Sequence, residues 1–277
     1  MTLVGQKNIF AIEWKFHSAV GTWIFAHLQY WGGGVPIGDW EDTVVFPSVV
    51  IDHQEHLNLM VEDTDSSVDC SNFSMEYLFS ALHKCVLEEL NISISDSRYD
   101  DKYKEQYFVF YCLAREAMET YLKNYEYSSY YSHLEFLRDN HGIVIDDLYG
   151  ENTELAYWIS TIFDVSSMGS CAIEDHSRLY FVRDVSKNQE RLVWKNVYRH
   201  PDDVDCRYIP SELSDQTHEA VMPIGYFKET INEFVRVASD EIAELRHKAK
   251  DFNYDLFLVN LTKGREKKCK RLSIPND

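Results

Sequence analysis

Four groups of residues have types and spacings that could do chemistry. Gly32-Gly33-Gly34 with Gly38 could cradle a phosphate. His53 and His56 could ligate a metal from one helix face. Asp63, Asp65 and Asp69 alternate as in a calcium loop, and Cys70, His83 and Cys85 offer soft ligands. Each fails on its context. A phosphate loop needs a helix directly after it, so that backbone N–H groups face the anion. Here Val35-Pro36-Ile37-Gly38-Asp39-Trp40 follows, which cannot begin a long helix, and there is neither a Lys-Ser/Thr pair nor a G-x-G-x-x-G spacing. The histidine pair stands at i, i+3 as H-Q-E-H rather than at i, i+4 as in H-E-x-x-H, and Pro47 upstream interrupts a helix, so these residues read as a solvated loop. The aspartates have Val68 where the sharp calcium turn needs Gly, and Ser74 where the bidentate Glu belongs. C-x₁₂-H-x-C matches no zinc pattern, and Cys85 reads as a buried thiol on a helix.

Nucleophilic catalysis fares no better. No G-x-S-x-G is present, and the Ser-Ser-Met-Gly-Ser run ending at Ser170 lacks the second glycine. With 11 histidines and 46 acids, some His–acid pair always exists, so finding one decides nothing. A glycosidase-type carboxylate pair has nothing to locate it. The expectation is therefore no catalytic residue, no cofactor, no stoichiometric metal and no enzyme.

Composition points the same way. The chain has 277 residues, 45% of them apolar, enough for a sizeable core. Its longest apolar runs are too short to span a bilayer, and no basic-then-apolar leader opens it, so a soluble cytoplasmic protein is expected. The six cysteines are scattered without a C-x-x-C pair and read as free thiols in a reducing compartment. A net charge of −19 argues against nucleic acid and anionic membranes as partners and would steer a basic protein toward the surface. The plainer reading of that charge is solubility alone. Lys263–Arg271 is the basic exception and reads as a frayed tail.

The elements that position these residues follow from periodicity. Phe10, Ile12, Trp14 and Phe16 alternate with polar or small residues, the pattern of a half-buried strand. A turn over Ser18–Gly21, a second strand over Thr22–Trp31 and a glycine turn over Gly32–Gly34 make a hairpin. Trp14 and Trp31 are both expected to be buried there. Residues 43–52 read as a short strand or a turn of helix, interrupted by Pro47. Met75, Leu78, Phe79, Leu82, Val86 and Leu90 have helical spacing, with Ser74 or Ser71 as N-cap. Helices are predicted near 99–125, 129–139 and 152–163. Strands follow at Leu179–Arg183, Glu190–Val197 and His218–Met222, with turns at Lys187-Asn188 and Arg199–Val204. An amphipathic helix runs from Gly225 to about Lys250, and Asp255–Leu261 is a possible last strand. This order predicts an α+β fold, an antiparallel sheet with packed helices.

The hairpin also carries a family pattern. Phe10-Ala11-Ile12-Glu13-Trp14, Trp23-Ile24-Phe25, Tyr30-Trp31 and Gly38-Asp39 resemble the opening of the immunity protein 42 family of bacterial polymorphic-toxin systems. Arg191-Leu192-Val193-Trp194, Glu219, Pro223, Gly225, Phe227 and the closing helix are similar to its second half. The resemblance covers residues 8–90 and 171–245. It implies four segments: 1–90 and 167–250 as the two parts of an immunity domain, 91–166 as a helical insertion, and 251–277 as an extension. It further implies a cytoplasmic protein that binds a cognate toxin domain and neutralises it. The insertion holds nine tyrosines between Tyr99 and Tyr131, interleaved with acids and without proline. Tyrosine suits interfaces, so Asp100, Asp101, Tyr103, Tyr107, Tyr127, Tyr130 and Tyr131 are the candidate contacts, for a toxin with a basic face. Packing of the insertion's own helices is the competing reading of those tyrosines. Two other functions stay open: an enzyme (a hydrolase, or one reversing a toxin-made modification), and an acidic mimic of nucleic acid.

Overall fold

The computed structural model describes residues 1–20, 23–59, 68–89, 104–124, 158, 162–184, 186–198 and 212–248. A first antiparallel sheet is built from β1 (Thr2–Gln6), β2 (Phe10–Val20), β3 (Trp23–Gly32), β4 (Val35–Ile37) and β5 (Thr43–Val45), in the order β1-β2-β3-β4 with β5 also paired to β3. The predicted hairpin is present, with Ile12 opposite Tyr30 and Trp14 opposite Leu28. Ser18, Ala19 and Val20, expected in its turn, instead continue β2 opposite Phe25, Ile24 and Trp23. Gly33 and Gly34 turn β3 into β4 at φ 56° and 84°, a left-handed pair that glycine adopts without strain. Gly32 is needed for a different reason: a Cβ there would lie 2.9 Å from the Trp194 ring.

Pro47 does not interrupt a helix; it lies in the first turn of one. Helix α1 runs Phe46–Leu59, and in its first turn the missing N–H of proline has no intrahelical acceptor to lose. Phe46, Val49, Val50, His53 and Leu57 form its buried stripe, and His56 is buried too. The two histidines are therefore core residues, and the solvated-loop reading is overturned. β1 was not predicted at all: of its five residues only Val4 is buried.

Helix α2 (Met75–Glu89) starts where its spacing predicts, with the Tyr77 N–H donating to the Ser74 hydroxyl at 3.2 Å as N-cap. Helix α3 (Lys104–Asn124) packs beside it. After a 3₁₀ turn at Ser166–Gly169 come the short α4 (Cys171–Glu174), then β6 (Ser177–Asp184), β7 (Gln189–Tyr198) and β8 (Glu212–Pro223), and finally α5 (Tyr226–Lys248). Strands β6-β7-β8 form a second antiparallel sheet, so the strands divide into two sheets rather than one. The helix read at 152–163 is described at Trp158 and Ile162–Phe163, where it is helical. The expected elements at 129–139 and 255–261 and the turn at Arg199–Val204 lie outside the described residues.

The second sheet is buried on both faces. Leu179, Phe181, Leu192, Trp194, Ala220 and Met222 face a first core, shared with the inner face of the first sheet, α1 and α5. Tyr180, Val182 and Val193 face a second core with α2, α3, Trp158 and Phe163. The alternation that puts one row on each side is the period-2 geometry of a strand. In the first core Trp14 is fully buried, edge-on to Phe234 at 5.1 Å, and its Nε1–H donates to Glu241 at 2.8 Å. Thr2 donates to the other oxygen of Glu241, which ties β1 and β2 to α5.

Candidate functional site

The outer face of the first sheet has no helix against it among the described residues. Along β3 this face presents Trp23, Phe25, His27, Gln29 and Trp31, opposite Val20, Ser18, Lys15, Glu13 and Ala11 on β2. Trp31 is half-buried here, not in the core, because its odd register position points it away from α1 and α5. Its indole N–H donates to Glu13 at 2.9 Å, and Lys7 sits 4.0 Å above the ring while pairing with the same carboxylate at 2.6 Å. Glu13 is thus buried on an open face by its two partners. Val20 and Trp23, at the far end, are exposed.

One corner of this sheet gathers acids and imidazole. The His27 ring stacks on Trp40 and its Nδ1 lies 2.9 Å from the Trp40 carbonyl. Beyond it, His176 Nε2 lies 2.7 Å from Asp42 Oδ2, and donor atoms of Asp39, Asp42 and His176 all fall within 4.8 Å of one another. All three are partly exposed. The loop carrying the aspartates is seated on α4: the Asp39 N–H donates to the Ala172 carbonyl at 2.9 Å. Gly38 at φ 89° brings its Cα so close that a Cβ would lie 2.2 Å from that oxygen. Sequence reading missed this group because 134 positions separate Asp42 from His176.

The interior holds polar groups too, and their surroundings show what they do. Buried Glu190 accepts from Arg183 at 3.0 Å and from the backbone N–H groups of Gly225 and Phe227 at 2.8 and 3.0 Å. It is an anion at the N-terminus of α5, where the helix dipole favours it. Arg191 bridges Glu219 at 2.5 Å and the Cys70 carbonyl at 3.0 Å, pinning the segment before α2 to the second sheet. His53 contacts the Tyr30 hydroxyl at 2.6 Å and the Val49 carbonyl at 2.7 Å. Burial lowers its pKa to about 3 and that of His56 to about 4. His83 meets the Tyr180 hydroxyl at 2.7 Å, and the Cys70 thiol is pushed up to about 12, chiefly by burial. A thiol so protonated is neither a nucleophile nor a ready ligand. His17, exposed at the β2 bulge, shares a hydrogen bond of 3.0 Å with Ser18 and meets the His27 ring edge-on at 5.3 Å. These groups hold the fold together.

Of the residues proposed from sequence as partner contacts, Asp100, Asp101, Tyr103, Tyr127, Tyr130 and Tyr131 lie outside the described residues; Tyr107 belongs to α3. That helix buries Phe110, Ala114 and Met118 in the second core and turns Glu116 and Glu119 to solvent. Among the described residues no helix is long and apolar enough to cross a membrane.

A family model, immunity protein 42, matches residues 1–237, a span that takes in 91–166. No curated protein and no solved structure matches the chain.

Proposed function

The chain belongs to the immunity protein 42 family, and from that premise we propose that it neutralises a cognate toxin domain by binding it, stoichiometrically and without catalysis. The family match over residues 1–237 is the observation that carries this reading. The polar groups described above support it, since they serve packing and capping rather than reaction. The protein acts in the cytoplasm of the cell it protects. Its net charge of −19 speeds encounter with a basic toxin face.

The contact surface in this proposal includes the 91–166 segment, with Tyr103, Tyr107, Tyr127, Tyr130 and Tyr131 as anchors and Asp100 and Asp101 as steering charges. Supporting this, α3 commits only one face to the second core and leaves Glu116 and Glu119 outward. Removing the segment whole is a poor test. It would strip Phe110, Ala114, Met118, Trp158, Ile162 and Phe163 from that core, so point substitutions are required.

The decisive experiment uses the variable C-terminal domain of a large secreted protein encoded beside this one. Co-expression should yield a complex that copurifies, and activity of the toxin should fall linearly to zero at one equivalent. Protection at far below one equivalent would instead mean turnover. A complex abolished by modest salt and competed by DNA or RNA would mean nucleic-acid mimicry.

A further inference from the structure

We propose that Asp39, Asp42 and His176 form a site for a divalent transition-metal ion, zinc above all, which clamps the 38–42 loop to the chain after α4. Three donor atoms already lie within 4.8 Å of one another, and the His176–Asp42 pair is at 2.7 Å. Zinc takes imidazole nitrogen and carboxylate oxygen at about 2.0–2.2 Å, which places tetrahedral ligands about 3.3 Å apart. Closing the set onto an ion therefore needs side-chain rotation of roughly 1 Å, which partly exposed groups can make. One nitrogen and two oxygens leave a fourth position for water, and the mixed donor set suits zinc better than magnesium or calcium.

Charge supplies a second, independent argument. Among the described residues neither Asp39 nor Asp42 has a lysine or arginine as ion-pair partner, and Asp42 meets only the imidazole of His176. Two carboxylates converge in a chain that already carries −19. A dication at their centre would offset the repulsion between them.

The backbone under the three side chains is preset. Gly38 is in a left-handed conformation against Ala172, the Asp39 N–H is bonded to the Ala172 carbonyl, and the His176 N–H to that of Ile173 at 3.0 Å. The Glu41 N–H holds one carboxylate oxygen of Asp39 at 2.9 Å, which leaves the second oxygen for the ion. Little loop ordering is then needed at the moment of binding, and the bound ion joins segments 134 positions apart.

Calorimetric titration of zinc chloride into the untagged, chelator-stripped full chain tests this directly. One equivalent should bind saturably and raise the melting temperature. His176→Ala and Asp39→Asn should each weaken binding by about 10-fold or more, since losing a ligand costs at least as much as losing a hydrogen-bond partner behind one. His247→Gln, which alters an exposed histidine at the far end of α5, should leave it unchanged. Should His176→Ala fold poorly, Asp39→Asn decides, since it keeps shape and size at a partly exposed position. Absence of saturable binding, or equal binding by wild type and Asp39→Asn, would overturn the proposal.

Discussion

Glu190→Ala should be among the most damaging single substitutions in this protein. The side chain is fully buried, and its carboxylate is shared by Arg183 and by the two backbone N–H groups that open α5. Truncation removes the carboxylate beside a buried guanidinium, a loss of about 3–5 kcal/mol where one member of a buried pair is deleted. It also strips two N–H groups of an acceptor, at about 1 kcal/mol or more each if no water enters. The terms overlap because one group serves all three donors, so about 4–6 kcal/mol is expected, comparable with the whole stability of many domains. Glu190→Gln keeps the volume and one acceptor oxygen but no charge, and should cost about half as much. Arg183→Met combined with Glu190→Gln should cost less than the two singles added, because no unmatched charge is then left inside. Urea unfolding followed by tryptophan fluorescence measures all four proteins. If Glu190→Ala unfolds within about 1 kcal/mol of wild type at unchanged denaturant slope, the carboxylate does not hold β7 to α5 as described.

Trp14→Ala should destabilise by roughly 3–5 kcal/mol and Trp31→Ala by much less, since only the first ring is fully buried; equal losses would contradict the two faces assigned to the first sheet. Burial holds His53 and His56 neutral down to about 3 and about 4, whereas the unfolded chain protonates them near 6.5. Below pH 6.5 the unfolded state takes up protons that the folded state refuses. Stability should therefore fall with falling pH, by roughly 1.4 kcal/mol per unit for each histidine, with no such slope above pH 7. His56→Leu also removes a buried nitrogen without a partner, and should flatten the melting temperature between pH 7 and 5; an unchanged profile would refute the assignment. In the toxin complex, Tyr130→Ala or Tyr131→Ala should speed dissociation by an amount worth about 2 kcal/mol. Asp100→Asn with Asp101→Asn should slow association in a salt-sensitive way. Unchanged rate constants in surface plasmon resonance would move the contact surface out of 91–166.

Much of the fold could be read from local pattern. The β2–β3 hairpin declares itself because one face of both strands is apolar, the glycine pair marks the next turn, into β4, and the amphipathic stripe of α5 is uninterrupted from Phe227 to Ile242. Where reading failed, a local rule met a positional exception. Pro47 disrupts a helix anywhere but its first turn, which is where it lies. His53 and His56 look solvated by residue type, yet α1 carries them inward among Phe234 and Tyr30. Trp31 is as aromatic as Trp14, but register sets them on opposite faces. The division into two sheets and the meeting of Asp39, Asp42 and His176 depend on contacts between distant segments, about which spacing along the chain carries no information.

The sharing of the first core between both ends of the sequence also governs when the protein can become complete. Val4, Trp14 and Leu28 share that core with Phe181, Trp194, Phe234 and Ile242, and Thr2 reaches Glu241 across 239 positions. A chain leaving the ribosome therefore carries an apolar hairpin whose inner face only α1 can begin to cover until the second sheet and α5 emerge. Folding of such long-range topologies is slow, and their exposed strands are open to wrong pairing meanwhile. The edge of that sheet beside β2, β1, is only five residues long, which limits that exposure. Under the proposed function, protection would lag translation by that folding delay, and a cell that meets the toxin would need finished molecules already in stock.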